Sequence, residues 1–344
     1  TVFVFEGTYA GFRVSDSGTR EDRIVIWAQS GVDLEGAEPG DTNNIVRFEA
    51  VSYITVRGFR IVRDGTPMAY DYDNACVAAR GTTVDNPMRG LTIRDNEIAG
   101  CSPAGLYASQ TEGLRLENNH IHDNVRETQD GNGQAIYLSN AGTDNVIVRN
   151  NRILDNQGPG IHMNGDSSIG GDGLQSGHLF EGNLIIGNGQ NGFNMDGVQD
   201  CVIVNNVFAA NERHAIRGFR IDAEQGPGGM VIVNNTFVQN GDTATRFTDD
   251  VGGNILFNNL VVDNGDNIFD IEESTPLLAG NVFLASTAGA FEDAAGRDFR
   301  ITEGSGAVDV GVAELGGETA PEDDLNGFTR TDAPDVGAFE LGSD

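Results

Sequence analysis

Val146-Ile147-Val148-Arg149-Asn150-Asn151-Arg152-Ile153 carries the pattern on which the reading of this chain turns: apolar-x-apolar-x-Asn-Asn-x-apolar. Alternation of apolar and polar residues marks a strand with one buried face. The Asn pair then marks a corner, because Asn tolerates left-handed backbone and can bond its own main chain. Related segments of seven or eight residues stand at 91–98, 114–121, 179–185, 202–208, 231–237 and 255–261. The second Asn of each falls at 96, 119, 151, 183, 206, 235 and 259, so the gaps are 23, 32, 32, 23, 29 and 24. A core period of 22 to 24 with loop insertions is the signature of a solenoid. Short parallel strands would stack about 4.8 Å apart, with the Asn amides forming a ladder. That structural role leaves the Asn column no part in catalysis.

Between the octets runs a second alternating strand. Its members are Cys76–Arg80, Gly105–Ser109, Gln134–Asn140, Gly160–Asp166, Gly192–Gly197 and Ala215–Arg220. Aligned on Ile136, Ile161, Phe193 and Ile216, the wet positions form a column of Ala78, Tyr107, Tyr137, His162, Asn194 and Arg217. Two residues on, the column reads Arg80, Ser109, Ser139, Asn164 and Asp196. Beyond Asp196 two phases are open: Arg217 and Phe219 point outward, or Arg220 and Asp222 do. A third column, Gly105, Ala135, Gly160, Gly192 and Ala215, is small throughout. It suits either the flat floor of a groove or a tight turn into the strand.

Composition narrows the function. The 344 residues contain 47 Gly and only 7% aromatics, which favours tight repeated turns over a bulky globular core. A net charge of −31 argues against nucleic acid or an anionic membrane surface as partner. All 21 basic residues are Arg, so a lysine base or Schiff base is excluded. Many acids and no lysine suit a protein exposed to high salt, although a high-GC genome would by itself favour Arg over Lys. No segment reaches the ~20 apolar residues of a membrane span. The chain opens on the strand-like Thr1-Val2-Phe3-Val4-Phe5, as a secreted protein with its signal peptide removed would. Cys76, Cys101 and Cys201 read first as small buried hydrophobes, with a Cys76–Cys101 pair one coil apart as the alternative.

On the octets and the stacked columns, residues 1–290 resemble the right-handed parallel β-helices of the pectate-lyase-like superfamily. The expected fold is all-β: one single-stranded right-handed parallel β-helix, closed by a capping segment over 291–344 packed on the helix end. That tail holds Gly304-Ser305-Gly306-Ala307-Val308-Asp309-Val310-Gly311 and Pro334-Asp335-Val336-Gly337-Ala338-Phe339-Glu340. It resembles the closing segment of many secreted bacterial and archaeal β-helix proteins, with Asp309, Arg330 and Glu340 as cap-forming structure. The architecture is shared by polysaccharide lyases, C5-epimerases, glycoside hydrolases, phage tailspikes and adhesins.

The expected partner is therefore an extended, anionic polysaccharide met outside the cell or at its surface by a monomer. The leading expectation is a lyase or C5-epimerase acting on a uronate. β-Elimination needs a base for the C5 proton, an acid for the leaving oxygen and a partner for the carboxylate. His162 and Tyr137 suit the proton transfers; Asn194 and Arg217 suit the carboxylate. Arg80, Tyr107, Ser139, Asn164, Asp196 and Arg220 would line the sugar path. This resembles the Tyr/His logic of some alginate lyases and epimerases, although the chain has no Asp-Pro-His element. The alternatives are a glycoside hydrolase using paired aspartates among Asp166, Asp196 and Asp222, or a non-catalytic glycan-binding or adhesion protein. No cofactor is required; Asp166 and Asp172, with Asp196, would suit Ca²⁺. His120 and His122 read as surface residues, while His178 and His214 lie near enough to join the face. The loops 126–133 and 167–177 would wall it.

Overall fold

The computed structural model describes residues 1–39, 43–64, 74–125 and 133–342. Three long parallel sheets run the length of a right-handed β-helix. Sheet one has 11 strands, from Val2–Val4 to Leu277–Ala279; sheet two has 11, from Gly7–Tyr9 to Val282–Leu284; sheet three has 10, from Phe12–Val14 to Asp266–Ile271. Each octet supplies one strand of sheet one, a corner and one strand of sheet two. In the octet at 146–153 these are Ile147–Arg149 and Arg152–Leu154.

The Asn pair divides its work. The first Asn takes the left-handed backbone: φ is 55° at Asn118, 56° at Asn150, 54° at Asn205 and 52° at Asn234. The second points inward and builds the ladder. Asn151 Oδ1 accepts from the backbone N and the Nδ2 of Asn119 at 2.9 and 3.0 Å. Its own Nδ2 donates to the Asn183 Oδ1 and the Leu116 carbonyl. A buried polar corner is tolerable only when satisfied in this way. A second ladder, not anticipated above, turns the corner from sheet two to sheet three. Asn124, Asn156, Asn188, Asn211, Asn240 and Asn264 are bonded coil to coil, for example Asn156 Nδ2 to Asn188 Oδ1 at 2.9 Å. Each lies five residues after a ladder Asn of the first corner.

The core between the sheets is apolar. Phe180 of sheet one, Phe193 of sheet three and Phe208 and Phe237 of sheet two meet there in sequence at centroid spacings of 4.8, 4.8 and 5.3 Å, the first pair tilted, the second edge to face and the third stacked. Cys76 and Cys101 form a disulfide, which corrects the preferred reading of three free thiols; Cys201 alone stays free, and buried. The two half-cystines sit one coil apart because the Cys76 backbone bonds the following coil at Ala104.

The tail lies along the side of the solenoid, not across its end. It covers the outer face of the later strands of sheet two, packing Phe291, Phe299, Val336 and Phe339 with Ile186, Val207, Val238 and Leu260. Its anchors are first-position Asn residues of three octets. Asn205 accepts from Arg330 Nη2 at 2.9 Å; Asn234 and Asn258 donate to the Asp335 and Val312 carbonyls. Arg330 and Glu340 form a buried ion pair at 3.1 Å, the structural role expected of them. The last coil is left open: Leu278 and Phe283 belong to inward columns yet are 53% and 47% exposed. The tail follows apolar surface on two sheets: on sheet two, where outward Arg60, Glu97 and His120 give way to Leu184, Val207 and Leu260, and on sheet one, where Val312, Leu315 and Ala320 pack on Val204, Val233 and Phe257.

Candidate functional site

Sheet three carries the candidate site in the expected register. Tyr107 pairs with Tyr137, Tyr137 with His162, His162 with Asn194, and Asn194 with Arg217. The column runs on to Arg246 and Asp270. Arg80, Ser109, Ser139, Asn164 and Asp196 form the second column. The phase beyond Asp196 resolves toward Arg217 and Phe219, whose ring lies 4.9 Å under the Arg217 guanidinium. Arg220 falls outside the strand; it is exposed and its Nε donates to the Ala223 carbonyl.

The outer face is not uniformly wet. Tyr107 and Tyr137 point outward but are 3% and 7% exposed, and they meet edge to face at 5.5 Å. Tyr137 stacks on His162 at 4.8 Å and 14°. Aromatic rings laid along a ladder of coils bury one another. From His162 onward the column opens: Asn194 and Arg217 are half-buried. Burial pulls the His162 imidazole down to about 4, so at neutral pH it is uncharged. Its Nδ1 lies 3.2 Å from Gln134 Nε2.

Beyond His162 the charge becomes positive. The Arg217 guanidinium is drawn downward by burial and then by Arg213 and Arg246. Arg246 is held by Asp270 and Glu272, while no carboxylate among the described residues pairs with Arg217. On a chain of net charge −31, an unpaired half-buried cation stands out.

A flanking column went unrecognised in the sequence. Gln134, Asn191, His214 and Thr243 stand three residues before Tyr137, Asn194, Arg217 and Arg246. Asn191 Nδ2 donates to Asn194 Oδ1 at 2.9 Å, and the His214 Nδ1 meets Thr243 Oγ1 at 2.8 Å. The constant spacing was the signal. His214 thus joins the face, whereas His178 does not: it is buried at the corner into sheet one, accepting from the Val146 backbone N at 3.2 Å.

Several expected roles are replaced by structural ones. The small column is no groove floor. A Cβ on Gly160 would stand 2.7 Å from the Gly192 carbonyl and 2.9 Å from Ile185 Cγ2; one on Gly192 would stand 2.8 Å from Phe208 Cδ1. Those positions face the next coil and the core, so smallness is forced by the tight turn. Asp196 is 1% exposed and accepts from the backbone N of Ile221 and Asp222, both at 2.8 Å. It pins a turn and offers little to a sugar. Ser139 is buried and donates to Asn140 Oδ1. Asn164 is half-exposed, its carbonyl receiving Gln175 Nε2. Arg80 lies 5.9 Å from the Tyr107 ring.

Asp166 Oδ1 caps the short 3₁₀ turn Ser167–Ile169 through Ser168 N, and Asp172 Oδ1 caps Leu174 N. Asp222 is exposed, its carbonyl taking Ser167 N. The insertion 167–177 therefore packs on the 222–224 turn beside sheet three; residues 126–132 of the other expected wall lie outside the described residues. His120 and His122 stack at 4.0 Å on the outside of sheet two, and His122 Nδ1 meets Asp123 at 2.7 Å. A cleft of about 810 Å³ opens there, away from the column, lined by Glu35, Arg60, Arg63, Glu97 and His122.

These features define a parallel β-helix with a chemically varied outer column. The chain matches the family described as "Periplasmic copper-binding protein (NosD)" over residues 8–170 and 173–287, and it belongs to that family. Among solved structures it is similar to pectate lyase Pel9A, with a TM-score of 0.68 and 16% identity over 99% of this chain and 87% of the other. An alginate lyase from Paenibacillus sp. str. FPU-7 gives a TM-score of 0.50 and 15% identity, covering 82% and 90%. Geobacillus virus E2 ORF18 gives 0.52 and 13%, covering 83% and 53%. At such identities the likeness is one of fold. No curated protein matches the chain.

The family description prompts a test for copper. Copper sites in proteins draw on imidazole, thiolate and thioether ligands. Among the described residues no group of three or more His, Cys, Asp or Glu could hold a metal, and Met163 and Met195 face the dry core. The residues described do not fit a copper centre, nor do Asp166 and Asp172 form a calcium site. Among the described residues no helix is long and apolar enough to cross a membrane.

Proposed function

We propose that this chain acts outside the cytoplasm on a uronate-containing polysaccharide, as a β-eliminating lyase or a C5-epimerase, on the outer face of sheet three. One observation carries the reading: Tyr137, His162, Asn194 and Arg217 follow one another on successive coils. Two proton-handling groups stack at 4.8 Å, and an amide and an unpaired guanidinium continue the line. That is the order of needs for removing a proton beside a carboxylate. In elimination the C5 proton leaves, its electron pair forms the C4–C5 double bond and the glycosidic oxygen departs protonated. In epimerisation the proton returns to the opposite face.

The Cys76–Cys101 disulfide supports an oxidising compartment. Arg217, with no carboxylate partner among the described residues and Arg213 near it, supports an anionic substrate despite the net charge. Hydrolysis by paired aspartates has no such support, since Asp196 is engaged by two backbone N–H groups.

The test is incubation with alginates, pectates, glycosaminoglycans and neutral glycans in high and low salt, following ultraviolet absorbance and reducing ends together. Absorbance and reducing ends rising together, and lost in His162→Ala, support elimination. Deuterium entering C5 from heavy water without cleavage supports epimerisation. Reducing ends without absorbance would sink the proposal in favour of hydrolysis.

A further inference from the structure

We infer that Gln134 is a positioning residue that holds His162 as its Nε2–H tautomer, making the imidazole a hydrogen-bond donor to substrate and leaving proton abstraction to Tyr137. This rests on the uronate reading above and divides the roles within it. Gln134 opens the strand Gln134–Ser139, is 2% exposed, and directs its Nε2 at His162 Nδ1 from 3.2 Å. An amide nitrogen can only donate, so Nδ1 must offer its lone pair. A neutral imidazole then carries its single proton on Nε2. Burial keeps the ring neutral down to about pH 4.

The groups facing His162 are Tyr137 on one coil, Asn194 on the next and Gln134 at the ring edge; of these only Tyr137 titrates. No protein partner among the described residues takes the Nε2–H. It is therefore free to bond the carboxylate oxygen on which charge builds as the C5 proton leaves. Tyr137 takes that proton in its ionised form, the phenolic proton having first passed to solvent. The C5–H electron pair becomes the C4–C5 double bond, the C4–O bond breaks, and the phenol returns its proton to the leaving oxygen.

The test is a ¹⁵N–¹H correlation spectrum of the imidazoles at pH 7, with His162 assigned by loss of its signals in His162→Ala. The expected result is a bare Nδ1 and a protonated Nε2 in the native protein. Gln134→Glu, an acceptor of the same size, should reverse the tautomer and lower kcat about 10- to 100-fold. A native Nδ1–H tautomer overturns the inference, and the native spectrum decides even if the variant does not fold. The expected tautomer in a protein that processes no uronate would leave the Gln134–His162 pairing standing, but overturn the uronate reading and the roles built on it.

Discussion

The same coil presents two kinds of column. At the inward corner, Asn96, Asn119, Asn151, Asn183, Asn206, Asn235 and Asn259 repeat one residue and one bonding pattern. On the outer face of sheet three the residue changes at every step from Tyr137 to His162, Asn194 and Arg217. A ladder works only if each rung matches its neighbours, so its residue is fixed by stability. A column facing outward has no such constraint, and four different chemical groups in succession suit a substrate that is itself asymmetric. Repetition marks what holds the fold, and variation marks where we propose that it acts.

That contrast can be broken by exchanging the consequences. Tyr137→Phe or His162→Ala should lower turnover by about 10²- to 10⁴-fold. Neither should move the denaturation midpoint much beyond what lost ring stacking explains. Asn151→Ala should do the reverse. It strands the Asn119 backbone N–H and the Leu116 carbonyl, costing about 2–4 kcal/mol in denaturant unfolding while the folded fraction keeps its turnover. Cys76→Ser with Cys101→Ser should cost a similar ~2–4 kcal/mol.

Smaller effects sharpen the comparison. Arg217→Gln should remove the proposed charged contact to substrate, worth about 1.5–3 kcal/mol, to be seen as a raised KM with stability almost unchanged. The last effect concerns pH. His178 is held at about 3 and His162 at about 4 by burial, both below the unfolded value of about 6.5. The unfolded chain therefore binds more protons between those limits. Each histidine contributes stability that is present above pH 6.5 and lost as pH falls toward 4, by about 1.4 kcal/mol per unit. His178→Asn should remove its share of that slope. The same column already holds Asn254, whose Oδ1 accepts Met230 N as His178 Nδ1 accepts Val146 N.

Much of the molecule was legible because the solenoid restates itself. Seven octets set the corner, the sheet registers and the outward column through Asn194. The second ladder was equally written, five residues after the first, but its Asn residues sit in loops of varied sequence and draw no attention singly. Asp196 misled because an outward carboxylate looks free until the turn it pins, at Ile221 and Asp222, is in view. The tail misled for a different reason. Sequence marks it as a terminal element, yet its place follows the apolar surface of Ile186, Val207 and Val238 and not the open end of the coil. Gln134 could be read only once its strand edge lay against His162.

The most direct measurement is a crystal structure of Tyr137→Phe with a uronate tetrasaccharide bound. The account predicts the sugar chain lying across the coils of sheet three, one carboxylate between His162 Nε2 and the Asn194–Arg217 pair, with C5 facing residue 137. A chain bound instead in the sheet-two cleft beside Arg60 and His122 would contradict it.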